Sequence, residues 1–91
     1  MTLDEMYAVL EGKTYHDKST MRRFSFLDNA IHIDRRALIP FSIYKEDGCF
    51  ILAPDTPFTE EKELRIEVGV KPDLIEFYGK NSGERLLSLE S

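Results

Sequence analysis

Residues 22–34 read RRFSFLDNAIHID, and the two central residues, Asp28 and Asn29, divide two runs that alternate between apolar and polar side chains. A two-residue turn there sets Leu27 opposite Ala30, Phe26 opposite Ile31 and Phe24 opposite Ile33, because Asp and Asn tolerate the positive φ that tight hairpin turns require. One face of this hairpin is apolar throughout. The other pairs Ser25 with His32 and Arg23 with Asp34, the latter an opposite-charge cross-strand pair contributing about 0.2–1 kcal/mol. A slip of one residue would move every side chain to the wrong face, so the stretch decides both the element type and its register.

The same logic extends along the chain. Asp47 and Gly48 favour a type I′ turn, which sets Ile43 against Leu52, Tyr44 against Ile51 and Lys45 against Phe50. That hairpin carries apolar side chains on both faces, which predicts a central position or cover on both sides. Pro72 and Asp73 suit the middle of a turn because proline presets φ, and this expectation pairs Val70 with Ile75 and Val68 with Phe77. Asn81, Ser82 and Gly83 read as a three-residue loop with Gly83 in the left-handed position. Phe77 then meets Leu87, Ile75 meets Leu89 and Glu76 meets Ser88.

Ahead of these hairpins, Thr2 and Glu5 form a capping box, and Leu3, Met6, Tyr7 and Leu10 recur at helical spacing. The pattern predicts a short helix over about residues 3–11, stopped by Gly12, that lies on the sheet or plugs one end. Seven or eight strands are expected between residues 13 and 90: 13–16, 20–27, 30–34, 38–45, 49–53, 63–70, 74–79 and 84–90. Short connections make sequential neighbours antiparallel. The exception is the stretch from Pro54 to Lys62, where Phe58 stands isolated among acids. The reading favours Phe58 folding back to close the core over docking on a partner. The fold class is therefore all-β, a mainly antiparallel meander forming a small barrel or strongly curved sheet, with one short N-terminal α-helix and a single domain over residues 1–91. Such a meander hides its edges by closing, or by pairing through open sheet edges as a homodimer.

Composition narrows the function classes. The net charge of −5 argues against sequence-independent nucleic-acid binding, and the local basic spot of Arg22, Arg23, Arg35 and Arg36 is diluted by Asp28 and Asp34. Cys49 is the only cysteine, which rules out an intrachain disulfide or a paired-thiolate zinc site and suits a reducing compartment. The stretch Met1–Glu11 carries Asp4, Glu5 and Glu11 without a basic run, unlike a secretory signal. No apolar run approaches membrane-spanning length. The expected address is the cytoplasm, with no membrane partner and no cofactor.

A short N-terminal helix, a Gly12-Lys13 start to the first strand and an up-and-down meander resemble a truncated lipocalin-like (calycin) barrel. The positional match is Gly12. Thr14 stands where that family's signature tryptophan would fall, and the chain has no Trp. The resemblance implies a non-catalytic barrel that binds a small apolar ligand.

Arg22 is the leading ligand-directed residue: the hairpin register puts it on the face of Phe24 and Phe26 with Arg35 directly across. Two guanidinium groups bordering apolar side chains suit the carboxylate of an apolar anion, but the reading favours both snorkelling to solvent at strand ends. Phe24, Phe26, Phe41, Phe50 and Phe77 are expected to fill the interior. Ser25, His32 and Asp34 share a face, but Asp34 follows His32 by two residues on one strand and faces Arg23, and an exposed sheet offers no oxyanion hole; no catalytic residue is assigned. His16 with Asp17, and His32, lack the paired spacing of a metal site, and Cys49 reads as an apolar filler. The acidic run of Glu60, Glu61, Glu63, Glu67 and Glu76 supports a second hypothesis, an acidic inhibitor or immunity-like protein that uses Phe58, Glu60 and Glu61 against a basic protein partner. A small enzyme is the third and weakest.

Overall fold

The computed structural model describes residues 1–69 and 73–91. Its elements run α1 (Leu3–Leu10), β1 (Thr14–Asp17), β2 (Arg22–Leu27), β3 (Ala30–Ile33), β4 (Ala37–Glu46), β5 (Cys49–Pro54), β6 (Leu64–Val68), β7 (Leu74–Gly79) and β8 (Arg85–Glu90). The eight strands form a closed antiparallel barrel in sequence order, β8 returning to β1.

The deciding hairpin has the expected register, with Phe24, Phe26 and Leu27 opposite Ile33, Ile31 and Ala30. Asp28 and Asn29 take φ of 52° and 58°, the paired positive values of a type I′ turn. Arg23 and Asp34 do meet, though differently from the expectation: the Asp34 carboxylate accepts the Arg23 backbone amide at 2.7 Å. The β4–β5 pairs are Ile43↔Leu52, Tyr44↔Ile51 and Lys45↔Phe50. Their outer face is covered by side chains: Tyr44, Ile51, Arg65 and Tyr78 form one row across β4 to β7. The Arg65 guanidinium lies 4.7 Å from the Tyr78 ring centre, and Ile51 in the row is buried.

One register expectation is corrected. Phe77 pairs with Ile66 and Ile75 with Val68, a slip of two residues from the predicted Val68–Phe77 match; the Val70–Ile75 pairing and Pro72 fall outside the described residues. The Gly69 amide donates to the Leu74 carbonyl at 2.8 Å, so the connection is longer than a two-residue Pro72-Asp73 turn. Because side chains alternate with period two, a slip of two leaves every inward residue inward. The β7–β8 pairs Ile75↔Leu89, Glu76↔Ser88 and Phe77↔Leu87 match the expectation, and Gly83 takes φ of 73°.

Alternation fills the interior. Phe24, Phe26, Phe41, Phe50 and Phe77 are all buried, and the Phe26 ring sits 5.8 Å from Phe41, 6.0 Å from Tyr15 and 6.4 Å from Phe77. An eight-stranded barrel is just wide enough for side chains to occupy its centre.

Helix α1 plugs one end. Its capping box joins Thr2 and Glu5 as expected, and Met6 and Leu10 enter the core. Tyr7 stacks on Phe41 at 6.1 Å while its hydroxyl accepts the Ile43 amide at 2.8 Å, and the Tyr15 hydroxyl donates to the Val9 carbonyl at 3.0 Å. Gly12 takes φ of 76°, and its amide donates to the Phe26 carbonyl, linking the helix end to the barrel wall. Up-and-down strands place residues 18–21, 34–36, 55–63 and 80–84 together at the opposite end. That end is the mouth of the barrel.

Candidate functional site

The mouth is built on inward-facing side chains where the strands run out. Arg22 opens β2 on the same face as Phe24, one turn of the pleat above it. Phe58, from the long loop, folds back onto the core, 6.2 Å from the Phe24 ring. This is the orientation the sequence favoured. Phe58 divides the mouth into two clefts. One, of about 230 Å³, is lined by Arg22, Phe24, Phe58, Glu60, Leu86 and Leu87 among others. The other, of about 380 Å³, is lined by Arg22, Ile33, Arg36, Ala37, Ile39 and Phe58 with Asp34.

Arg22 thus faces both clefts, and the second guanidinium is that of Arg36. Arg35 does not line either. Asp34 and Arg35 take φ of 51° and 61°, and the Arg36 amide donates to the Ile33 carbonyl at 2.9 Å, so the chain reverses at Asp34-Arg35 and the position across the mouth passes to Arg36. The dipeptide Asp-Arg carries no glycine or asparagine to mark that reversal, which is why the sequence pointed to its neighbour. Phe26 lies deeper, 1% exposed, and belongs to the core.

The charge at the mouth is unusual for so acidic a chain. Among the described residues, no carboxylate stands within ion-pair distance of Arg22, Arg23, Arg35 or Arg36, whereas Lys18, Arg65, Lys80 and Arg85 are each paired. Acids do share the clefts: Asp17 is the cross-strand partner of Arg22 and lines one cleft with it and Glu60, and Asp34 lines the other with Arg22 and Arg36. Asp34 is held by the Arg23 amide. Asp17, the buried charged residue of the barrel, accepts the Ser19 amide at 3.0 Å, the Ser19 hydroxyl at 2.8 Å and the Thr20 hydroxyl at 2.8 Å. Burial alone would raise its pKa, but these hydrogen bonds outweigh it and hold the carboxyl below the usual aspartate range.

Glu61 is also committed. Its carboxylate accepts the Asn81 amide at 2.8 Å, the Ser82 amide at 3.3 Å and the Ser82 hydroxyl, and the Ser82 hydroxyl above all keeps its pKa low. Gly79 makes room for this contact, since a Cβ there would overlap the Glu61 carboxylate. Glu61 therefore ties the long loop to the β7–β8 turn, while Glu60 remains exposed at the cleft edge. Of the other acids, Glu63 bonds Tyr44 and faces Lys80, Glu67 meets Arg65 and Glu76 meets Arg85.

The hydrolytic and metal readings gain no geometry. Ser25 faces His32 across β2–β3, and its hydroxyl lies 3.3 Å from that of Thr14. His16 and Asp17, adjacent on β1, point to opposite faces. Among the described residues no helix is long and apolar enough to cross a membrane. No family model matches this chain, and comparison with curated proteins and with solved structures finds no match.

Proposed function

We propose that the protein is a non-catalytic binding module of lipocalin-like shape that captures an apolar anion at the mouth of the barrel. The observation that carries this reading is the pair Arg22 and Arg36, without ion-pair partners among the described residues, bordering a floor of Phe58, Ile33 and Ile39 in a cleft whose one acid, Asp34, accepts the Arg23 amide. Guanidinium groups bind carboxylates through paired N–H donors, and the apolar floor favours a ligand that buries hydrocarbon beside its charge. The site differs from that implied by the family resemblance, because aromatic side chains occupy the barrel centre and leave the mouth as the binding surface. The second hypothesis, an acidic inhibitor, draws less support: Glu61, Glu63, Glu67 and Glu76 all have partners within the chain.

A thermal-shift titration with decanoate tests the reading. Ligand binding to the folded state alone raises the melting temperature, and the expected rise should be abolished in an Arg22→Ala, Arg36→Ala double variant that melts like the parent without ligand. An equal rise in parent and variant would remove the arginines from the site. No rise in the parent, for decanoate or longer-chain carboxylates, would remove the function.

A further inference from the structure

The closure of the barrel is uneven. Between β8 and β1 a single pair, His16↔Glu90, is made, whereas β5 pairs with β4 along its whole length, Cys49 to Pro54. Hydrogen-bond alternation shows which groups this leaves. The Ser91 amide donates to the Asp73 carbonyl at 3.0 Å, so Ser91, Leu89 and Leu87 direct their backbone groups to β7, and Glu90 and Ser88 direct theirs to the β1 side. Glu90 finds His16 there. Ser88 would next face Lys18, but β1 ends at Asp17 and Lys18 already belongs to the turn. The Ser88 amide and carbonyl therefore open onto a notch of about 340 Å³, walled by Lys18 and Ser19 on one side and by Leu86 to Ser88 on the other.

The notch adjoins the mouth. Asp17, Leu86 and Leu87 line both the notch and the Arg22 cleft. The complement of a strand edge is another extended backbone. β8 runs from the mouth toward the helix end, so a strand added antiparallel to it runs the other way and delivers its C-terminus to the mouth, where the unpaired guanidinium groups stand. Asp17 and Glu60, which line the cleft beside the notch, repel a carboxylate and bias it toward the Arg22–Arg36 side of Phe58, where the Asp34 carboxylate accepts the Arg23 amide.

We infer that the notch and the mouth form one site for the C-terminal segment of a partner polypeptide. The segment pairs with the free edge of β8 at Ser88, and its terminal carboxylate and last apolar side chain occupy the cleft of Arg22 and Phe58. The inference rests on the mouth as the binding surface and specifies its ligand class.

The test uses the full-length protein labelled with 15N and four probes: an acetylated hexapeptide of alternating threonine and valine ending in phenylalanine with a free carboxylate, the same peptide as its C-terminal amide, the same peptide N-methylated at alternate residues, and decanoate. The free-acid peptide should shift the amide signals of Ser88 and Arg22 together. Amidation and N-methylation should each weaken binding about tenfold or more, the loss expected for charge-assisted or backbone hydrogen bonds. Ser88→Pro, which removes a donor not used within the barrel, should weaken the peptide and spare decanoate; should that variant unfold, the N-methylated peptide makes the same measurement. Decanoate binding with no peptide effect at Ser88, or equal affinity for the N-methylated peptide, would overturn the inference while leaving the mouth as a site for small anions. Binding by none of the probes would overturn both.

Discussion

Asp17 shows how one buried charge can be read through its partners. Three hydrogen bonds to its carboxylate hold the turn that carries the chain from β1 into β2 at the mouth. Its folded pKa lies below the unfolded value of about 3.9, so its contribution to stability is complete above that value and is lost as pH falls through the folded pKa. Urea unfolding should find Asp17→Ala about 1–3 kcal/mol less stable than the parent at pH 7, with the gap narrowing below about pH 3.9 as the parent's own carboxylate protonates. A gap unchanged from pH 7 to acid would mean that side-chain volume, not the carboxylate, matters there. At this scale the sequence was uneven. Arg22, Phe24 and Phe58 were legible from register and isolation, but Arg36 was not, because two left-handed residues at Asp34-Arg35 moved the inward position by one. Asp17 was hidden too: the signal, Asp followed by Ser19 and Thr20 at hydrogen-bonding distance in sequence, is also that of an ordinary exposed turn.

Among the elements, the positive-φ turns at Asp28-Asn29 and Asp47-Gly48 were read correctly, while the reversal at Asp34-Arg35 and the register between β6 and β7 were not. Asp28-Asn29 and Asp47-Gly48 leave few alternatives, since the backbone conformation selects the residues. For β6 and β7 the apolar pattern fits two registers separated by two residues, and alternation cannot tell them apart. The role of α1 was legible only as a choice between lying on the sheet and closing an end. Its burial of Leu10 at 1% exposure makes the helix part of the core. Leu10→Ala should therefore destabilise the fold by about 2–5 kcal/mol, as large-to-small core substitutions do. A loss under about 1 kcal/mol in chemical denaturation would show a helix that merely rests on the surface.

For the whole molecule, the question left open by the sequence was whether the barrel closes and what fills it. Closure follows from the β8–β1 pair, and the centre is taken by aromatic rings within van der Waals reach of one another. On the proposed function, the ligand is therefore held at the mouth, where charge and apolar surface meet. Neither the closure nor the position of the mouth could be read from local patterns, since both depend on which strands end where. The most direct measurement is an amide chemical-shift map of the labelled protein titrated with decanoate. The signals of Arg22, Phe24, Ile33, Arg36 and Phe58 should move while those of Leu52 and Phe77 stay in place. Shifts centred on Leu52 and Phe77, with the mouth unmoved, would contradict binding there.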